Sequence, residues 1–232
     1  MRHYTSWYFN YKGESFITLE KENIFRILKP DKHDVIMDAG CADGRLSFEL
    51  ANLVKEIHAF DFSKEGIEEL DGKIKSKGIS NIKTGVVDLT AELPAGLPAF
   101  DKVISIQVLQ HISGQQQLKK AIKNIYNAIK PGGSFITLNY SSEKIMKKIR
   151  KQFGGFLGGA ERDGYHAFMI REIRELCLEA GFKKVNIETS HHIPPRFYAF
   201  KITKYLLKLD AFAAKLPFSR YFGHYLIVEG KK

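Results

Sequence analysis

Cysteine is scarce in this chain: 232 residues contain two, Cys41 and Cys177. Two cysteines cannot make a disulfide framework, neither belongs to a Cys-x-x-Cys pair, and no Cys/His grouping has zinc-ligand spacing. That usage fits a reducing cytoplasm. No run reaches the roughly 18 apolar residues of a membrane-spanning helix. The opening MRHYTSWYFN has no apolar signal-peptide core. Neither an internal repeat nor a long linker is visible, and 44% hydrophobic with 27% charged residues excludes disorder as the main state. Acids are the scarcer sign, 26 against 36 Lys plus Arg, for a formal net charge of +10. Such a surface attracts nucleic acid, anionic lipid head groups or acidic metabolites. The plainer reading is a solvated lysine surface.

What is present is an alternation of short β-branched runs with longer amphipathic ones. The strand-like runs are 34–38, 56–60, 82–87, 101–106, 134–140, 184–189 and 224–228. Helical spacing appears over 44–54, 63–77, 115–129 and 169–180. Lys130-Pro131-Gly132-Gly133 and Gly181 act as stops. Strands separated by helices predict right-handed crossovers and a mainly parallel sheet. The expectation is an α/β, Rossmann-like, doubly wound fold with seven strands, helices on both faces and helical lid insertions. One domain is expected, with a helical cap over 1–30, a binding core over 31–140, a lid over 141–168 and a substrate half over 169–232. Ligands of such sheets sit at the carboxyl ends of the strands.

The informative segment is VIMDAGCADGRLSFEL, residues 35–50. A strand ends at Asp38, a turn carries Gly40 and Gly44, and a helix follows. The Asp38 carboxylate would repel a pyrophosphate and suit a cation. Two more acids stand at strand ends: Asp61 after EIHAF and Asp88 after TGVV. An acid after the second strand can accept hydrogen bonds from ribose hydroxyls, and one after the third from an adenine amine. Together they describe a cationic, ribose-bearing, adenine-bearing ligand without phosphate, which S-adenosylmethionine satisfies. A nicotinamide fingerprint is not completed, because Ala42 and Arg45 stand where glycines are required. No Gly-Lys-Ser/Thr of a phosphate-binding loop follows the turn.

On these residues the chain resembles the class I S-adenosylmethionine-dependent methyltransferases, within them the small-molecule branch that includes the ubiquinone/menaquinone methyltransferases. The pattern D-x-G-x-G-x-G reads Asp38-Ala39-Gly40-Cys41-Ala42-Asp43-Gly44, with Ala42 in place of the middle glycine. Asp61-Phe62-Ser63, Asp88-Leu89, Gln107 to His111, Ile129 to Gly133 and Ala180-Gly181-Phe182 match the later motifs in order. The resemblance implies S-adenosylmethionine as cofactor, held by Asp38, Gly40, Cys41, Ala42, Gly44, Asp61, Phe62, Ser63, Asp88, Leu89 and Gln107. Phe62 would pack on the adenine.

The acceptor is less legible. Methyl transfer from a sulfonium needs alignment more than acid–base chemistry, so no fixed triad is expected. The fourth-strand end, Gln107-Val108-Leu109-Gln110, lacks the Asn/Asp-Pro-Pro-aromatic motif of exocyclic amine methylation. No Pro-Cys nucleophile is present, and the catechol-type metal acids are missing, so no metal is expected. His111 is the candidate base; ordering its loop is the alternative. His166, His191 and His192 lie near the expected pocket mouth, with the surface as their expected place. His166 joins Tyr8 and Tyr11 as a candidate acceptor contact. The lid carries Lys144, Lys147, Lys148, Arg150 and Lys151 before a glycine run over 154–159. In the insertion 190–222, Lys201, Lys204, Lys208 and Lys215 fall within about 60° on a helical wheel. Tyr198, Ile202, Tyr205, Leu206, Leu209, Phe212 and Leu216 fill most of the rest. That pattern fits a helix on an anionic membrane surface, a cap over an apolar pocket, or a helix packed on the sheet with its lysines in water. The expected activity is methyl transfer to a small, apolar or lipid-linked acceptor. The alternatives are RNA or other nucleic-acid methylation using the basic insertions, or S-adenosylmethionine binding without catalysis.

Overall fold

The computed structural model describes residues 4–142, 165–193 and 203–232. Helix α1 (Tyr4–Leu28) precedes β1 (Val35–Ala39), α2 (Arg45–Ala51), β2 (Glu56–Asp61), α3 (Lys64–Lys77), β3 (Ile82–Val86), β4 (Phe100–Ile106) and α4 (Gln115–Ala128). Then come β5 (Ile129–Tyr140), α5 (Ile170–Ala180), β6 (Lys184–Ser190), α6 (Thr203–Ala213) and β7 (Tyr225–Lys231). The seven strands form one sheet in the order β3-β2-β1-β4-β5-β7-β6. Strand β7 runs antiparallel to both neighbours, and the other pairs are parallel. This is the doubly wound arrangement expected from the alternation of strand and helix.

Period-two alternation sends neighbouring residues of β1 to opposite faces. Ile36 joins a cluster with Phe16, Ile24 and Leu28 of α1, Leu46 and Leu50 of α2, and Ile67 and Leu70 of α3. Met37 joins the other face with Leu118, Ile122 and Ile125 of α4, and Ile173 and Leu176 of α5. Both faces are covered, so the central strands read as continuous apolar runs.

Local chemistry explains where elements stop. Helix α2 ends at Ala51, three residues short of the expected end. The Asn81 side-chain amide donates to the carbonyls of Ala51 and Val54, at 2.8 and 3.3 Å. It thereby satisfies groups that a further helical turn would have used. Lys130-Pro131-Gly132-Gly133 does stop α4, but the chain is strand-paired already at Ile129, opposite Phe100. A register irregularity between Phe100 and Lys102 absorbs the glycines. A Cβ on Gly133 would come within 2.6 Å of the Asp101 carbonyl oxygen, so only glycine fits there. Strand β7 reaches Lys231, three residues beyond the sequence-based end.

Phe182 closes the α4–α5 face. It stacks on Phe135 at 5.8 Å, meets Tyr126 edge-on at 5.1 Å, and is 2% exposed. Phe182→Ala should lower stability by about 3–5 kcal/mol. Denaturant titration should show a lower midpoint with an unchanged slope.

Candidate active site

The carboxyl ends of β1 and β4 flank the switch point, where the chain order reverses. Five contacts fix the loop after β1. The amides of Gly40 and Cys41 both donate to the Phe60 carbonyl, at 2.7 and 2.9 Å. The Ala42 amide donates to Asp61 Oδ2 at 2.8 Å. Lys73 of α3 holds Asp43 Oδ2 at 2.7 Å. Ser47 of α2 donates to Asp38 Oδ2 at 2.7 Å. Gly40 has φ +92°, and a Cβ there would lie 2.1 Å from a methyl group of Val108. A Cβ on Gly44 would meet Leu70 at 2.3 Å. Both glycines are thus required by the packing of the loop itself. Ala42, where the family has glycine, sits at φ +50°, a left-handed conformation that costs an ordinary residue about 1–2 kcal/mol.

The three acids have different surroundings. Asp38 is 3% exposed. Burial pushes its carboxyl up to about 6, against the Ser47 hydrogen bond and the Arg45 charge, with Asp61 pushing the same way. Asp61 Oδ1 accepts from the Ser63 amide at 2.8 Å, so its carboxylate ties the β1 loop to the start of α3. Ser63 caps α3 by accepting from the Gly66 amide at 3.1 Å. Asp88 Oδ1 accepts from the amide and hydroxyl of Thr90, both at 2.8 Å. Between Asp61 and Ser63 the ring of Phe62 stands 76% exposed, while Leu89 is buried. Cys41 is buried, and burial raises its thiol far above the ordinary range.

This donor set matches S-adenosylmethionine. A buried carboxylate reluctant to ionise offers a place for a cationic group. A half-exposed carboxylate at the end of β2 retains capacity to accept. An uncovered aromatic ring beside it offers a face for a base. Nothing in the group would welcome a phosphate. Among the described residues, no grouping of three or more His, Cys, Asp or Glu could hold a metal ion.

The far side of β4 is aromatic. His111 follows β4 in a single 3-10 turn and meets Tyr165 edge-on at 4.6 Å. Tyr165 lies 6.3 Å from Tyr140, and Tyr140 lies 4.9 Å from Tyr225. Tyr225 meets His191 at 5.1 Å, and Phe16 of α1 covers His191 at 4.0 Å. Desolvation lowers the His111 pKa, opposed by a hydrogen bond to the Gln107 backbone and the charge of Asp61. The imidazole is therefore neutral at pH 7.

His191 corrects the sequence reading: it is fully buried, φ +58°, with its ring nitrogens facing Ser190 Oγ at 2.7 Å and the Phe16 carbonyl at 3.3 Å. Docking of α1 over the sheet end encloses it. His166 is half-buried and pairs with Glu172 at 2.7 Å, and its amide donates to the Gln110 carbonyl at 2.8 Å. Tyr8 and Tyr11 belong to α1, but their side chains lie outside the described residues, as do the lid's basic residues and Lys201.

Two residues escaped the sequence reading. Glu20 of α1 is fully buried. It forms an ion pair with Arg45 and accepts from the Gln107 amide at 2.6 Å. Gln107, also a left-handed residue at φ +61°, thus directs its side chain to the N-terminal helix. The signal was present: Phe16, Glu20, Ile24 and Leu28 recur every fourth residue, and an acid within such a stripe faces the core. Arg45 stood one residue past the glycine turn, where sequence alone gave it no partner.

A groove of about 580 Å³ lies at the opposite edge of the sheet, lined by residues that include Arg26, Lys102, Lys184 and Lys231. Three of these cations are tied up: Arg26 by Glu188, Lys102 by Asp34 and Lys231 by Glu229.

Known proteins resemble this chain in sequence and in fold. A family model described as a methyltransferase domain matches residues 30–186, more than half of the chain. A ubiquinone biosynthesis O-methyltransferase of Nitrosococcus oceani is 25% identical over 164 residues, covering 68% of this chain and 67% of that protein. A tRNA N(3)-methylcytidine methyltransferase of Schizosaccharomyces pombe is 28% identical over 172 residues, 68% of each. The structure of Haemonchus contortus phosphoethanolamine N-methyltransferase 2 with S-adenosyl-L-methionine shares the fold, with a TM-score of 0.64 and 19% identity. It matches 98% of this chain and 55% of that one.

Two stability predictions follow from the loop. The folded pKa of Asp38, about 6, lies above its ordinary 3.8. Its contribution is therefore most favourable below pH 3.8 and is lost as the pH rises through 6. Asp38→Asn removes the buried charge and should stabilise the protein at pH 7 by about 1–3 kcal/mol. The gain should vanish below pH 4 in thermal melts. Ala42→Gly relieves the left-handed alanine and should raise Tm by about 1–4 °C, read by calorimetry.

Proposed function

Because this chain belongs to the class I S-adenosylmethionine-dependent methyltransferases, we propose that it methylates a small, apolar or lipid-linked acceptor seated against the rings beyond β4. S-adenosylmethionine supplies a methyl group activated by the positive charge on its sulfur. Asp38, Asp61, Phe62, Asp88 and Leu89 would hold it: Asp38 facing the cationic end, Asp61 the ribose hydroxyls, Phe62 and Leu89 the adenine, and Asp88 its amine.

The observation that carries the reading is the run of rings from His111 through Tyr165, Tyr140 and Tyr225. His111, Tyr165 and Tyr140 offer aromatic surface beside the switch point, with Tyr225 buried behind them. His111 would take a proton where the acceptor atom carries one. Its hydrogen bond to the Gln107 backbone fixes the ring, and at pH 7 it is neutral. Otherwise the chain's contribution is to align two reactants and exclude water. The ubiquinone-pathway relative supports this acceptor class.

Methylation of RNA is the second reading, favoured by the +10 net charge and the tRNA-modifying relative. Incubating the chain with radiolabelled donor and fractionated lipid, RNA and small-molecule pools separates the two. Label in the lipid or small-molecule pool supports the proposal, and label in RNA alone overturns it.

Asp61→Ala should weaken donor binding at least roughly tenfold by calorimetry, since it removes a charged acceptor and unties the β1 loop. In the wild type, donor affinity should fall as the pH drops through 6, where Asp38 takes up a proton. Asp38→Asn should flatten that dependence.

A further inference from the structure

Helix α6 turns large apolar side chains outward. Tyr205, Leu209 and Phe212 stand 76%, 54% and 62% exposed, while Asp210 is 2% exposed. At 3.6 residues per turn the three apolar residues fall within about 60° of one another, and Asp210 lies about 130° round from their centre. The chain continues the surface past the helix: Leu216, Phe218 and Phe222 are 48%, 70% and 40% exposed.

The helix is anchored. Asp210 Oδ1 accepts from the amides of His192 and Ile193, at 2.6 and 3.2 Å, and Oδ2 lies 3.5 Å from His192 Nδ1. Beyond the helix, a Cβ on Gly223 would come within 2.4 Å of Thr189, so the returning chain lies tightly on the end of β6. Asp210 thus ties the helix, which also packs on α1, to the segment after β6, while Tyr205, Leu209 and Phe212 face the outside. An exposed patch of this kind marks an interaction surface.

Charge indicates the occupant. Residues 203–222 carry Lys204, Lys208, Lys215 and Arg220 against the single acid Asp210, whose carboxylate is committed to His192 and Ile193. Exposed Lys208 lies within about 70° of the apolar centre, where a long side chain reaches an anionic head group as the rings enter the acyl boundary. A second copy would set these cations against themselves across a two-fold axis. Nucleic acid would use the aromatic rings but leave Leu209 and Leu216 without partners.

We propose that the α6 surface, through Tyr205, Leu209, Phe212, Leu216, Phe218 and Phe222 with Lys208 and Lys215, docks the protein on an anionic phospholipid bilayer. Among the described residues no helix is long and apolar enough to cross a membrane, so the contact is peripheral. The inference concerns where the chain sits and holds whichever acceptor is methylated.

The test is co-sedimentation of the full chain with phosphatidylglycerol/phosphatidylcholine vesicles and with pure phosphatidylcholine vesicles. The wild type should bind the anionic vesicles and bind phosphatidylcholine at least tenfold more weakly. Leu209→Ser with Phe212→Ser should lose roughly tenfold or more in affinity. Lys208→Glu with Lys215→Glu should lose roughly tenfold or more on anionic vesicles alone. These side chains are exposed, so unchanged thermal melts and unchanged donor binding will show that the variants fold. Failure of the wild type to bind either vesicle overturns the proposal, as does undiminished binding by the Leu209/Phe212 variant. A concentration-dependent dimer abolished by Phe212→Ser, without vesicle binding, would assign the surface to a second copy. RNA binding lost in the Lys208/Lys215 variant, without vesicle binding, would assign it to nucleic acid.

Discussion

A single carboxylate at the end of β2 organises the crevice. Asp61 takes the Ala42 amide on one oxygen and the Ser63 amide on the other. The turn after β1 and the start of α3 are thereby held at a fixed separation. The turn's geometry depends on that anchor, because Ala42 is held in a left-handed conformation that alanine does not favour. Asp61 also acts at a distance, raising the pKa of Asp38 on one side and that of His111 on the other. One charge thus shapes the loop, the cation site and the candidate base.

Glu20 extends the same logic to the N-terminal helix. Burying a carboxylate is costly unless it is paired. Pairing with Arg45 and Gln107 brings α1 onto both the β1 loop and the end of β4. The helix that covers the aromatic wall through Phe16 is consequently referenced to the two strand ends that flank the switch point. The cover and the floor of the crevice are parts of one hydrogen-bonded assembly.

Much of this was legible in the sequence, for physical reasons. The strands announced themselves because a parallel sheet buried on both faces demands unbroken apolar runs. Acids at strand ends stood out because each immediately follows such a run. Less legible were features that depend on which elements meet. His191 looked like a surface residue because its enclosure is supplied by Phe16, far away in the chain. Leu53 and Val54 looked helical until Asn81 proved to take the carbonyls there. The wheel drawn over 190–222 reaches past α6, since Lys201 lies outside the described residues and Lys215 beyond Ala213, and a wheel does not say which side faces in. Asp210, an acid amid leucines and alanines, was the cue.

The place of β7 has a consequence for how the chain matures. Among the described strands it comes last in sequence, yet it lies between β5 and β6, and no other described strand pairs with β6. During synthesis, β5 and β6 each present an open row of amides and carbonyls until Tyr225–Lys231 is made. Such edges invite pairing with other chains. Nascent molecules interrupted before that point carry an adhesive gap one strand in from the edge of the sheet, and quality-control machinery would meet them in that form.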